Sequence, residues 1–430
     1  MTDAFKIGIA GLGTVGTGVI KILTQNADII AARAGRPIEI MAVSARSKNK
    51  DRGVDLSNYD WVDDAGDMAA RDDLDCVVEL IGGSEGLAAD LVRGALNGKK
   101  HVVTANKALV AHHGYELAEI AEGNGVSLNY EAAVAGGIPV IKAMREGLAA
   151  NKFSAVYGIL NGTCNYILTE MRETGRDFAD VLKDAQEAGY AEADPTFDVE
   201  GVDAAHKLCI LSSIAFGVKP DFEALTVSGI SRINATDITF ASEFGYRIKL
   251  LGVAQEVDGE ILQVVEPCVV PIGSPLGAIE DVYNAVYVDG NFVETPLLTG
   301  KGAGEGPTAS SVVADIIDLA RGISLPTFGV PVSQLKDLSP LDAGACKGSY
   351  YLRLNVLDQP GVLAEVSAIL RDHNISVEGM SQHGRDPDQP VPIVLTTHEA
   401  IHADMVKAAE LIEALDFCVE TPCLMVVRDI

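Results

Sequence analysis

Through its first third the chain alternates short, wholly apolar runs with amphipathic stretches. The runs at 6–10, 38–43, 76–81, 101–104 and 127–130 predict strands, and the segments between them, including 14 to about 31 and 84–96, predict helices. Strands that are apolar on both faces need cover on both faces, so the pattern predicts a parallel, doubly wound α/β sheet of Rossmann type. Beyond about residue 136 it lengthens into helices and then into strand-like segments at 246–257, 261–270 and 285–288. An antiparallel sheet with helices against one face, an α+β unit, is expected there. A glycine-rich turn at 299–306 precedes a helix predicted for about 308–321, with Pro307 and Thr308 at its start. Pro326, Pro331 and Pro340 then punctuate a connector. The last block places elements at 350–357, 361–373, 375–384, 391–397, 403–415 and 421–427 in the order of a ferredoxin-like βαββαβ unit. The expected division is 1–136, completed by 301–325; then 137–300; a linker at 326–347; and 348–430.

Composition narrows the classes. At 430 residues the chain exceeds one ordinary core, and 48% hydrophobic content with 43 glycines suits an α/β protein with many tight turns. A net charge of −28, from 33 basic against 61 acidic residues, repels a nucleic-acid backbone, so nucleic-acid binding is not expected. On that background Lys107, Lys207 and Arg46 stand out as candidate ligand contacts. The opening residues run into a strand with no signal-peptide series, and no apolar run reaches bilayer length. Seven cysteines without a C-x-x-C pair fit reduced thiols, so a cytoplasmic protein without membrane contact is expected. His112 and His113 lack metal-ligand spacing.

The chemistry concentrates in a few motifs. Gly11-Leu-Gly13-Thr14-Val15-Gly16 follows the first strand and opens a helix, the context in which this spacing cradles a dinucleotide pyrophosphate. The second strand ends in Val43-Ser-Ala-Arg46-Ser-Lys48, with no acid to hold a ribose 2′-hydroxyl. Arg46, with Lys48, suits a 2′-phosphate, which favours NADP over NAD. Thr104-Ala-Asn106-Lys107 lies at the carboxyl edge of the sheet, where Lys107 is expected to touch cofactor or substrate. Asp203 and Lys207 share a helix face one turn apart, either as a solvated ion pair or as a half-buried pair poised for proton transfer.

Six motifs in order resemble homoserine dehydrogenase. They are the glycine fingerprint, Thr104-Ala-Asn-Lys107, Glu131-Ala-Ala-Val134-Ala-Gly136-Gly-Ile138-Pro139, Asn161-Gly-Thr-Cys-Asn165, Gly189-Tyr-Ala-Glu192-Ala-Asp-Pro195 and Asp198-x-x-Gly201-x-Asp203-x-x-x-Lys207. The resemblance implies reversible, NAD(P)-dependent interconversion of aspartate 4-semialdehyde and homoserine. It implies Lys207 as proton donor and Lys107 as a second active-site lysine, with Glu192 and Asp203 binding the amino-acid substrate. Gly11, Gly13, Thr14, Val15, Gly16, Arg46, Thr104, Lys107, Gly189 and Gly304 would contact NADP or NAD. Glu131, Val134, Gly136 and Ile138 would form a monovalent-cation site, sodium being expected; the residues by themselves read only as a tight glycine-rich turn.

The block Leu354-Asn-Val-Leu-Asp-Gln-Pro360-Gly361 with His373-Asn374 looks like an ACT domain. Gly361 leaves backbone N–H groups for a ligand carboxylate and Asn374 can meet its polar groups. The resemblance to homoserine dehydrogenase implies threonine as effector; alternatively the unit only builds a dimer interface. A homodimer or homotetramer is expected. A competing enzyme reading needs a nucleophilic cysteine; Cys164 and Cys209 are the only ones near the motifs, and Cys164 has no histidine beside it in sequence. A competing non-enzymatic reading is a sensor that binds nucleotide and amino acid without turnover.

Overall fold

The computed structural model describes residues 3–383 and 390–430. Among these residues the first apolar runs form a six-stranded parallel sheet in the order Asp60–Trp61, Ile38–Ser44, Phe5–Ala10, Cys76–Glu79, His101–Thr104, Leu128–Asn129. The order reverses between Phe5–Ala10 and Cys76–Glu79, which opens a crevice at the carboxyl ends of these two strands. Ile7, Ile9, Val43, Val78 and Val103 pack with the helices Thr14–Gln25 and Glu305–Ala320 on one side. Ala10, Val77 and Val102 pack with Leu87–Asn97 and Lys107–Asn124 on the other. The Glu305–Ala320 helix starts earlier than its pattern predicts because Pro307 sits in its first turn, where a missing N–H costs nothing.

The second sheet corrects one expectation. It is mixed rather than antiparallel, and it runs through two units: Leu297–Lys301, Tyr283–Gly290, Phe153–Ile159, Tyr246–Val257, Glu260–Pro271, then Cys423–Val427, Lys347–Leu357, Pro390–Thr397, Val377–Gln382. The strands from residues 153–301 pair antiparallel, with the short Thr226–Val227 added in parallel to Glu260–Pro271. The four strands of the C-terminal block, with the helices Val362–Asp372 and His402–Glu413, form the expected ferredoxin-like unit. The predicted strand 375–384 is Val377–Gln382; Gly384 lies outside the described residues. The two units join where Cys268 and Val269 pair in parallel with Val426 and Val427.

The connector is held along its length. Glu122 accepts the N–H of Val332 (3.0 Å), Lys219 N–H donates to Lys336 O (2.9 Å), and Leu341 N–H donates to Ile261 O (3.0 Å). No helix among the described residues is long and apolar enough to cross a membrane.

Candidate active site

Each fingerprint glycine has a distinct geometric reason. Gly11 has φ +104°, and a Cβ there would lie 2.4 Å from Leu80 O, so the turn closes only with glycine. A Cβ on Gly16 would lie 2.0 Å from Gly11 O, whereas one on Gly13 would face open space, the space a phosphate needs. A cavity of about 710 Å³ opens there, bordered by Gly11, Gly13, Ser44, Arg46, Lys50 and Arg52. Arg46 is exposed at its rim. Arg52, which the motif reading passed over, is fixed by donating to Leu12 O (3.2 Å), Lys50 O (2.8 Å) and Ser47 O (2.6 Å).

The Thr104-Ala-Asn-Lys107 motif is a local scaffold. Thr104 is fully buried and its hydroxyl donates to Glu79 (2.5 Å), whose other oxygen accepts the N–H groups of Ile81 (2.7 Å) and Gly82 (2.9 Å). Asn106 caps the Lys107–Asn124 helix by accepting Leu109 N–H and donates to Gly83 O. Lys107 is therefore projected from the first helical position at the carboxyl edge of the sheet. The signal for Glu79 was available in sequence: an acid ending a wholly apolar strand must find partners.

Lys107 meets the second unit at Asp203. Its Nζ lies 3.0 Å from Asp203 Oδ1, while Oδ2 takes Lys207 Nζ at 2.7 Å and Asn161 Nδ2 at 2.8 Å. Lys207 also donates to Leu160 O (2.7 Å), and Asn161 donates to Asp198 (2.8 Å). Asp203 and Lys207 are 5% and 8% exposed, so the pair is buried and the solvated alternative is set aside. Burial works against the Asp203 charge, but Lys207 and Lys107 outweigh it and hold the carboxyl well below the usual range. Asp198 is pushed the other way by burial and by the Asp203 charge. The Val202–Phe216 helix begins after Gly201 (φ +83°), which puts Asp203 in its first turn, where the helix dipole favours an anion.

Behind the lysines the two helices meet through histidines. His206 Nδ1 donates to Val202 O (2.9 Å), so its neutral ring offers the Nε2 lone pair to His112 Nε2–H at 3.1 Å. His206 is stacked between Phe197 and Phe222, and burial pushes its pKa down to about 4. His113 instead pairs with Glu85 at 2.7 Å.

Other motif residues fall around this centre. Glu192 is exposed, and no described contact joins it to Asp203 or either lysine; its loop, which includes Gly189 (φ +77°), is tied to the site where Thr163 donates to Tyr190 O (2.7 Å). Cys164 is buried, its N–H capped by Asn161 and its thiol donating to Asp198 O; burial pushes the thiol far above its ordinary pKa, which argues against a nucleophile. Asn165 serves structure, donating to Asp281 O (3.0 Å) and accepting from the buried Lys249 (3.0 Å).

Glu131 is buried and accepts the N–H groups of Ile141 (2.9 Å) and Lys142 (2.8 Å). Burial and the Asp315 charge push its carboxyl up to about 7. The turn after it passes through Ala135 (φ +52°) and Gly136 (φ +49°), and Gly136 O accepts the Ser311 hydroxyl (2.6 Å). Gly304 (φ +129°) precedes the Glu305–Ala320 helix. Gly361 (φ +103°) and Asn374 (φ +57°) are exposed in the C-terminal unit.

Two ammonium groups, supplied by different units, thus converge on one buried carboxylate beside a dinucleotide crevice. Such a centre can stabilise negative charge on a substrate oxygen and move a proton to it.

Residues 139–317 match the family profile for homoserine dehydrogenase, 11–131 that for the homoserine dehydrogenase NAD binding domain, and 350–417 that for the ACT domain. The chain is 47% identical over 418 residues to the homoserine dehydrogenase of Pseudomonas aeruginosa, covering 96% of each. A homoserine dehydrogenase crystal structure from Thiobacillus denitrificans superposes with a TM-score of 0.93 at 43% identity, covering 99% of both chains. A hyperthermophilic archaeal homoserine dehydrogenase in complex with NADPH covers 75% of this chain and 99% of its own, with a TM-score of 0.64 at 25% identity.

Proposed function

This chain belongs to the homoserine dehydrogenase family, and from that premise we propose that it reversibly reduces L-aspartate 4-semialdehyde to L-homoserine with NADPH in preference to NADH. The observation that carries the reading is the Lys107–Asp203–Lys207 contact across the two units. When bound, the nicotinamide supplies the hydride that the carbonyl carbon receives. Lys207 Nζ gives its proton to the carbonyl oxygen in reduction, and as a neutral amine takes the hydroxyl proton in oxidation. Leu160 O and Asp203 fix two of its N–H directions and leave the third for the substrate. Lys107 steadies the negative charge that develops on the oxygen. Asp203, with Glu192 on the adjoining loop, receives the substrate ammonium.

Phosphate preference is supported by the strand ending in Ser44 rather than an acid, by Arg46, Lys50 and Arg52 around the crevice, and by the archaeal relative solved with NADPH. Gly11, Gly13, Thr14, Val15 and Gly16 would hold the pyrophosphate, and Thr104, Gly189 and Gly304 lie on the segments that would close around the cofactor. Glu131 with the carbonyls of Val134, Gly136 and Ile138 would hold a monovalent cation, sodium in our reading. The all-oxygen donor set suits a hard ion, and a carboxyl pushed up by burial gains from a positive neighbour. Its role would be to order the turn that packs on the Gly302 backbone. The ACT domain, through Gly361 and Asn374, would bring threonine feedback to a cytoplasmic homodimer or homotetramer serving threonine, methionine and isoleucine synthesis.

The test is nicotinamide absorbance with homoserine and either oxidised cofactor. Turnover with NADP⁺ at higher kcat/KM than with NAD⁺ is expected; a preference for NAD⁺ overturns the phosphate reading, and binding without turnover would leave a sensor.

A further inference from the structure

We infer that Trp61 is a positioning residue that sets the preference for a phosphorylated cofactor, by holding the cations of the crevice apart from its acids. The inference rests on the NADPH reading above and names the side chain that keeps that site in working order. From 46 to 52 every second residue is basic, Arg46, Lys48, Lys50 and Arg52, against the trend of a chain with net charge −28. Trp61, the only tryptophan in the sequence, stands beside this run. It pairs in the parallel sheet with Val43, just before the cations begin, and Val62 N–H donates to Val43 O (2.9 Å). Its ring, with Val54, Leu56 and Tyr59, is partly buried against the core of that sheet. The indole is therefore placed by the fold, and the cations are placed on the indole.

The ring has two separate partners. Its face takes Arg52, with Cζ 5.7 Å from the centroid, and Lys48, with Nζ at 6.0 Å. Its edge donates Nε1–H to Asp63 (2.9 Å). Arg52 is held at the same time by the carbonyls of Leu12, Lys50 and Ser47, so its guanidinium keeps one orientation with the remaining N–H groups left for a ligand. Asp63 and Asp64 border the same cavity as Arg46, Lys50 and Arg52. A carboxylate free to swing onto those cations would compete with an incoming phosphate for the same donors. Asp64 is occupied by Gly66 N–H (2.9 Å) and Asp63 by the indole. Phenylalanine at 61 would keep the face and release the acid, and leucine would lose both. A ribose hydroxyl carries no charge for either group to answer, so the arrangement acts on the phosphorylated cofactor.

Steady-state kinetics of homoserine oxidation with NADP⁺ and with NAD⁺, on the full-length protein, test this. Trp61→Leu is expected to raise KM for NADP⁺ about five- to tenfold, with KM for NAD⁺ and both kcat values within about twofold. An equal rise for both cofactors means a merely structural role and overturns the inference. Because Trp61 acts through Arg52, adding Trp61→Leu to Arg52→Met should change KM for NADP⁺ by less than about twofold further; full additivity overturns the inference. Trp61→Phe should raise KM for NADP⁺ by about threefold, and Asp63→Asn in the same chain should return it, since a neutral amide no longer competes with the phosphate. This pair decides the matter if Trp61→Leu does not fold, and a loss that Asp63→Asn fails to return counts against the inference. A wild type that prefers NAD⁺ removes the phosphate reading and this inference with it. A preference for NADP⁺ that survives in Trp61→Leu removes this inference alone.

Discussion

Lys207 is the residue on which chemistry and burial agree. It donates to a carbonyl and a carboxylate inside the protein, so its ammonium position is set before substrate arrives. Replacing it with Met keeps the length and removes the proton, and kcat should fall by roughly 10²–10⁴-fold. NADPH affinity, measured by fluorescence titration, should stay within about twofold, since the proposed pyrophosphate and ribose-phosphate contacts, Gly11 to Gly16 and Arg46, lie on the other unit. A kcat loss under about tenfold would remove Lys207 from the proton-transfer role. Asp203 and Lys207 were legible as a pair because helix spacing is local. Asn161 and Asp198, which complete the carboxylate's surroundings, were visible only as motif letters, because their contacts with Asp203 join separate segments and depend on the folded chain. Arg52 escaped for a similar reason: it is positioned by donating to three loop carbonyls that only the turn brings together, with its remaining N–H groups left for a ligand.

At the scale of elements, two helices decide whether the lysines meet. Lys107–Asn124 carries Lys107 and His112, Val202–Phe216 carries Asp203, His206 and Lys207, and the histidine pair lies about one turn from the ion contacts. Protonating His206 would place an N–H against the N–H of His112, with Lys107 adding repulsion and Asp203 only partly offsetting it. The folded-state pKa, near 4, lies below the ordinary histidine value of 6.5. The stability this neutral ring contributes is therefore complete above 6.5 and is lost as pH falls from there toward 4. The loss is at most about 3.5 kcal/mol, at about 1.4 kcal/mol per unit. Urea unfolding of wild type and His206→Gln should show a shallower acid slope in the variant; parallel slopes would mean that another group carries the effect. Element type was largely readable from period: apolar runs gave the parallel strands, and the C-terminal block gave its order. Asp60–Trp61 is too short to carry a period, and Phe153–Ile159 went unread in a stretch dominated by helical patterns. The mixed character of the second sheet was not readable, because parallel pairing of Cys268 and Val269 joins strands more than 150 residues apart.

The whole molecule is bound together at that junction. Arg353 in the ACT domain and Asp237 at the start of the Ala235–Glu243 helix are 3% and 0% exposed and lie 2.7 Å apart, with the Tyr351 hydroxyl donating to the same carboxylate oxygen. A buried pair of this kind holds two units in one orientation even where its net stabilisation is small, since either charge alone is costly. Arg353→Leu should therefore destabilise by about 3–5 kcal/mol in urea unfolding, because it strands the Asp237 charge. Adding Asp237→Asn should return much of that loss by removing the uncompensated carboxylate, although the Asn234 capping box it also serves would be weakened by about 1 kcal/mol. The two substitutions combined should then be less damaging than Arg353→Leu alone. If the losses instead add, Asp237 is stabilised by its helix cap rather than by Arg353, and the orientation of the ACT domain rests on its other contacts, among them the Cys268–Val426 strand pairing and the Arg428–Glu266 pair.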